Sequence, residues 1–218
     1  MWEACKQSVI DEIRGLPGWC SPEKAALMMD LVNEHRLRTC VDVGAFGGSS
    51  CLPLAEAVKY RGEGTLYAID AWRVETAVDG WDRGTVDYRW WSALDFESLY
   101  TGFQELLVRR ELTERCFVMR MHSRKAATRF AERSIHFIHL DGNHHENAFM
   151  ADVQAFYPKV RDGGLLLIND ANWPCMRRGL VFLLERTRVL SPFSPSAPFL
   201  LLARDIAREQ RAASLVKA

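Results

Sequence analysis

The sequence predicts an α/β fold built on a doubly wound, largely parallel sheet with helices on both faces, and three observations carry that prediction. Short apolar runs bounded by turn residues recur along the chain, and amphipathic stretches fall between them. Four of the runs also end in polar residues just where the chain turns out: Asp42, Asp70, Asp141 and the pair Asn169–Asp170. In a parallel sheet such strand ends share one rim, and ligands bind in the crevice beyond it. Residues far apart in sequence are therefore expected to meet in a single cleft.

The elements follow in order. Residues 2–14 and 22–36 read as amphipathic helices separated by the turn-rich "GLPGWCSPEK". Ser21 before Pro22 and Glu23 has the form of a helix N-cap with proline at the first helical position. "TCVDVG" (39–44) is a fully buried parallel strand by its short apolar run, and "SSCLPLAEAVKY" is a helix. "GTLYAID" (64–70) is a second strand, residues 71–91 are irregular and rich in aromatics, and residues 95–112 are a clear helix. "CFVMRMHS" (116–123) is strand-like, "RKAATRFA" helical, and "SIHFIHLD" (134–141) a strand. Residues 145–160 carry Phe149, Val153, Phe156, Tyr157 and Val160 at helical spacing. "GGLLLIND" (163–170), a helix near 177–188 and a strand at "PFLLLARD" complete the pattern, with a polar tail after about Arg204 that is either helical or frayed.

Bulk properties narrow the function. At 218 residues the chain suits one domain, 1–218, with a self-sufficient core. Lys plus Arg and Asp plus Glu number 28 each, so no global field favours nucleic acid or an acidic membrane. A small molecule is the expected partner, and homo-oligomerisation stays open. Cys5, Cys20, Cys40, Cys51, Cys116 and Cys175 form no C-x-x-C pair and read as small core residues of a reducing compartment. The N-terminus carries acids and no long apolar run, unlike a secretory leader, and no run approaches a membrane span. A cytoplasmic location is expected.

The turn "VDVGAFGGSS" joins a strand to a helix, and Gly44, Gly47 and Gly48 permit close backbone approach to a ligand. Its register is not the G-x-G-x-x-G of dinucleotide binding, which counts against a nicotinamide-dependent oxidoreductase. Asp70 at the second strand end suits a ribose diol, so a nucleoside-like cofactor is expected. Of the histidines, His136 and His139 read as sheet residues and His145 as the first turn of a helix. Trp90–Trp91 and the stripe Phe96, Leu99, Tyr100, Phe103 read as helix core. The long segment after Asp70 suits a substrate cover, which would make residues 71–112 an insertion over the cleft.

"VDVGAFGGSSCLPLA…GTLYAID" resembles motif I and the acidic strand end of class I S-adenosylmethionine-dependent methyltransferases. Within them the likeness runs to catechol O-methyltransferase-like enzymes and metal-dependent macrolide sugar O-methyltransferases. "DGNHHENAFMADVQAFYPKVRDGGLLLIND" resembles the latter group's D-G-x-H…D…G-G…D/E-D pattern. The resemblance implies a seven-stranded, Rossmann-like methyltransferase sheet, here with an N-terminal helical extension over residues 1–37. It implies that Gly44, Ala45, Phe46 and Gly48 line the methionine moiety, that Asp70 holds the ribose and that Ser123 lies near the adenine. Asp42, Ser50, Ala71, Trp72 and Asp141 complete the cofactor set it implies. Asp141, Asn169 and Asp170 would hold Mg²⁺ or another divalent cation, and His144, beside Asp141, would be the general base. Asn169 departs from the family, which has an acid there, so the metal site loses one negative charge. The implied activity is methylation of an oxygen on a small hydroxylated molecule, a sugar or a phenol. A catalytically silent cofactor-binding protein is the reading from another class.

Overall fold

The computed structural model describes residues 1–191 and 199–215, with side chains to residue 210. Two helices open the chain, α1 (Trp2–Ile13) and α2 (Pro22–Glu34). The second starts where expected: the Ser21 hydroxyl accepts a hydrogen bond from Lys24 N at 3.2 Å, with Pro22 at the first position. Then come β1 (Thr39–Val43), α3 (Cys51–Arg61) and β2 (Thr65–Asp70). The α3 helix stops at Gly62, whose φ of 69° supplies the left-handed C-cap.

Residues 71–91, expected to be irregular, contain two short helices, α4 (Val74–Ala77) and α5 (Val86–Ser92). Thr85 caps α5 through Tyr88 N; helices of one or two turns leave too little periodicity to detect. Helix α6 (Phe96–Arg109) begins at Asp95, whose carboxylate accepts from Glu97 N and Ser98 N. Strand β3 (Cys116–Arg120), α7 (Ser123–Ala127), β4 (Ile135–Leu140) and α8 (Glu146–Phe156) follow. After α8 a 3₁₀ turn carries Pro158 into β5 (Val160–Asn169). The last elements are α9 (Arg177–Leu184), β6 (Thr187–Val189), β7 (Phe199–Arg204) and α10 (Ile206–Leu215). Strand β6 stands where the sequence predicts the end of a helix; three residues are too few to show alternation. The predicted strand "PFLLLARD" begins at Pro198, outside the described residues.

The seven strands lie in the order β3-β2-β1-β4-β5-β7-β6. All pairings from β3 to β5 are parallel, and β7 runs antiparallel to both its neighbours. Strand order reverses between β1 and β4, so the crevice at their carboxyl ends is the topological switch point. Two hydrophobic clusters cover the sheet. Cys40, Ala68, Phe137, Leu165 and Leu167 face the cluster that includes α1, α2, α3 and α6. Val41, Ile69, Ile138, Leu166 and Ile168 face the other, which includes α8 and α9.

Strand parity then places the polar residues. Successive side chains alternate between faces. Asp42, Asp70, His139, Asp141 and Asn169 therefore continue the rows that face α2 and α3, at their C-terminal ends. That is where the cleft opens.

Candidate active site

A cavity of about 720 Å³ lies over the carboxyl ends of β1, β2, β4 and β5. This is ample for a nucleoside-sized molecule with a small partner. Around it three non-glycine residues take left-handed backbone angles, Phe46, Trp72 and Asp170, each at φ 46°. Such angles are uncommon outside glycine, and strained backbone of this kind gathers at functional sites.

At one end the turn after β1 supplies Gly44, Ala45, Phe46 and Ser50 to the wall, and the β2 end supplies Asp70 and Ala71. Asp70 is clamped by two backbone donors, Phe46 N at 3.0 Å and Trp72 N at 2.7 Å. Each carboxylate oxygen keeps acceptor capacity for a ligand hydroxyl. Burial raises the Asp70 carboxyl above its ordinary value, against the lowering effect of those amides.

Three residues expected in the cofactor set stand behind the wall instead. Asp42 is fully buried, accepting from Ser50 Oγ at 2.7 Å and Cys51 Sγ at 3.0 Å and pairing with His139 Nδ1 at 2.7 Å. Desolvation pushes its carboxyl up, but His139 and these donors outweigh it and hold the group below the usual range. Gly48 faces Phe103, 2.5 Å from where a Cβ would sit. Trp72 is buried on Tyr100 and Phe103 and donates to Phe46 O at 2.8 Å. All three shape the turn rather than the cavity surface.

Beyond Asp70, Ser123 begins α7 and donates to Asp152 Oδ1 at 2.5 Å. Both residues line the cavity. Asp152 is the middle aspartate of the D-G-x-H…D…G-G pattern, which by itself gives it no place in the cofactor set. Burial pushes its carboxyl up to about 6, against the Ser123 hydrogen bond and the Arg124 charge. The folded state therefore holds a proton here more tightly than the unfolded chain does. Stability is lost as pH rises from about 4 through about 6, by roughly 2–3 kcal/mol once the group is ionised. Asp152→Asn is expected to raise the melting temperature by several degrees at pH 8 and by much less at pH 5. Equal shifts at both pH values would contradict the assignment.

The opposite end holds the charges. Asp141 closes β4, and His144 sits three residues on with Nε2 3.6 Å from Asp141 Oδ1 and 3.0 Å from Asp170 Oδ2. Desolvation pushes the His144 imidazole down, yet Asp170 and Asp141 outweigh it and the net shift is upward. His145, the N-cap residue of α8, also borders the cavity, but its ring packs under Gly80 and against Trp81 rather than on the carboxylates. The intervening Asn143 accepts from Trp81 Nε1 at 3.0 Å and donates to Asp79 O at 2.9 Å. This pins residues 71–91 over the cleft, where Arg73, Thr76 and Trp81 join the wall.

The residues expected to hold a metal are arranged differently from that expectation. Asn169 Oδ1 accepts from the Lys24 ammonium at 2.8 Å, and Lys24 Nζ is 3.6 Å from Asp141 Oδ2. The amide oxygen expected to face an ion is thus occupied by an internal cation. Among the described residues, the grouping that could hold a metal is Asp141, His144 and Asp170, with ligand atoms within 4.8 Å of one another. It has an imidazole between its carboxylates and an ammonium beside one of them. That grouping is not the hard, oxygen-only environment that Mg²⁺ favours.

One expectation holds with an added partner, and another changes. His139, which the sequence presents as a sheet residue, is fully buried with Nδ1 on Asp42 and Nε2 3.8 Å from Asp141 Oδ2. Trp90 and Trp91, expected in a helix core, line the cavity mouth with Trp19 and Phe46. Trp19 stacks on Phe46 at 5.6 Å, and Trp90 and Trp91 pack edge to face at 4.8 Å. Trp19 is 63% exposed, as befits a rim residue.

A parallel sheet with one reversed strand, and a glycine turn facing an acidic strand end across a switch-point cleft, define the class I S-adenosylmethionine-dependent methyltransferases. The chain belongs to the methyltransferase-domain family, whose model matches residues 41–171. Comparison with curated protein sequences finds no match. Among solved structures it resembles an O-methyltransferase from Bacillus cereus in complex with SAH, at 16% identity over 92% of this chain and 91% of that one, TM-score 0.60. It also resembles the SAH-bound methyltransferase PaMTH1 from Podospora anserina, at 10% identity over 92% and 88%, TM-score 0.63. The O-methyltransferase NovP matches at 14% identity over 84% and 78%, TM-score 0.64. At these identities the likeness is one of fold. No helix among the described residues is long and apolar enough to cross a membrane.

Proposed function

We propose that the chain, acting as one cytoplasmic methyltransferase unit, transfers the methyl group of S-adenosylmethionine to a hydroxyl oxygen of a small molecule, a phenol or a sugar. One observation carries this reading: a histidine held between two carboxylates faces the same cavity as the glycine turn and Asp70. The cofactor would lie with its methionine along Gly44, Ala45 and Phe46 and its ribose on Asp70. Its adenine would lie toward Ser123 and Asp152. This sets the sulfonium methyl before the Asp141–His144 corner.

Methyl transfer from a sulfonium is an in-line displacement, so positioning does most of the work. An alcohol is a poor nucleophile, and a base that takes its proton as the new bond forms lowers the barrier. Neutral His144 would accept that proton. Asp141 and Asp170 would stabilise the imidazolium, in keeping with the upward shift of His144. The aromatic rim of Trp19, Trp90 and Trp91 offers flat apolar faces for a phenol ring or the C–H face of a sugar. A single unit fits the continuous seven-stranded sheet, and six free thiols fit a reducing compartment.

Titration calorimetry tests the cofactor assignment. S-adenosylhomocysteine is expected to bind and NADH to give no heat; the reverse result would return the oxidoreductase reading. Transfer of labelled methyl to a panel of phenols and glycosides then identifies the acceptor.

A further inference from the structure

We propose that Lys24 is the resident cation of this site, standing where a divalent ion would otherwise sit and holding the acceptor's oxygen for methyl transfer. The inference rests on the methyltransferase reading above and adds to it a residue outside the matched segment 41–171.

Lys24 belongs to the buried stripe of α2, with Ala25, Met28, Met29 and Val32. A stripe of that kind normally takes apolar side chains. Here the helix lies on the face of the sheet where Asp141 and Asn169 end their rows, and the lysine stem runs through the core to reach them. The residue is 2% exposed, yet it contributes to the cavity wall. Burying an ammonium is costly unless it is paired.

A purely structural pairing would be expected to satisfy the ammonium within the protein. Instead, among the described residues, its one hydrogen bond is to Asn169 Oδ1 at 2.8 Å, and Asp141 at 3.6 Å is beyond hydrogen-bond reach. An ammonium has three donors, so two are left for a ligand oxygen.

The substitution of charge is internally consistent. Asn169 stands where the resembled family has an acid, and the carboxylate lost there is the one that a neighbouring lysine makes unnecessary. An added dication would meet the ammonium's repulsion beside Asp141. In the reaction, Lys24 donates a hydrogen bond to the acceptor oxygen while neutral His144 takes the hydroxyl proton. The oxygen–carbon bond forms as the carbon–sulfur bond breaks, releasing neutral S-adenosylhomocysteine. Lys24 keeps its proton throughout, and its charge offsets the negative charge developing on oxygen.

The test uses the full chain and Mn²⁺ as the probe, followed by electron paramagnetic resonance of the free ion. Wild-type protein is expected to leave the Mn²⁺ signal unchanged, whereas Lys24→Ala, which frees Asn169 and uncovers Asp141, is expected to take up the ion. Lys24→Met is expected to bind S-adenosylhomocysteine as wild type does and to lose methyl transfer by at least about 10²-fold. Chelator is expected to leave wild-type turnover unchanged. Lys24→Arg, which keeps the charge, is expected to retain chelator-insensitive turnover. Wild-type uptake of Mn²⁺, loss of turnover on chelation, or a Lys24→Met enzyme of wild-type rate would each overturn the proposal. Failure of the wild type to bind S-adenosylhomocysteine would instead defeat the methyltransferase reading on which it rests.

Discussion

Gly44→Ala is expected to abolish S-adenosylhomocysteine binding and to destabilise the fold, and Gly44→Val to do so more severely. Two physical effects act together. Gly44 has φ 95°, a region that side-chain-bearing residues rarely adopt. A Cβ there would also lie 2.0 Å from the main-chain oxygen of Asp141 and 2.6 Å from its carbonyl carbon. The second contact matters more, because it is with backbone that cannot rotate away. Asp141 N itself donates to Val43 O at 2.9 Å, so the two strand ends are locked together at the switch point. A methyl group would force β1 and β4 apart where the cofactor is expected to lie. The cost is of order 2–4 kcal/mol of stability, and the loss of affinity should exceed 10²-fold. Thermal unfolding and calorimetry on the same preparation measure both. Near-native affinity in the alanine variant would mean that the ligand does not approach this turn.

His144→Ala is expected to lower the methyl-transfer rate by roughly 10²–10⁴-fold while leaving S-adenosylhomocysteine affinity close to wild type. His145→Ala should change the rate far less. The two neighbours differ in what their rings touch: His145, just before α8, packs under Gly80, whereas His144 points to Asp141 and Asp170. The pH profile supplies an independent check. Only neutral imidazole accepts a proton, and the His144 group is shifted upward from its ordinary 6.5. The rate should therefore rise with pH through a midpoint above that value and level off beyond it. Asp170→Asn removes one source of the shift and should move the midpoint down. A profile flat from pH 6 to 9, or equal losses in the two alanine variants, would show that His144 is not the base.

Much of the site is legible in the amino-acid sequence. Asp42, Asp70, Asp141 and Asn169 each sit where an apolar run breaks into a turn, and parallel strands leave such residues no other meeting place than one rim. Other signals are present but outvoted. Lys24 falls on the apolar stripe of α2, an unusual place for a lysine, yet periodicity counts apolar positions and passes over the exception. His139 alternates correctly for a strand, so nothing local separates it from an ordinary sheet residue.

The information carried by the sequence alone is therefore local: strand and helix periods, the glycine turn, and which residues stand at strand ends. Long-range packing selects which of those residues face the ligand and which stand behind it. Asp42, Gly48 and Trp72 are drawn into the wall's support because β1, β4 and α6 close over them. Asn169, expected as a metal ligand, becomes the partner of a lysine 145 residues away in the chain. Strand register and helix placement are set by core packing summed over the whole molecule. Contacts at that separation leave no periodic trace in either segment.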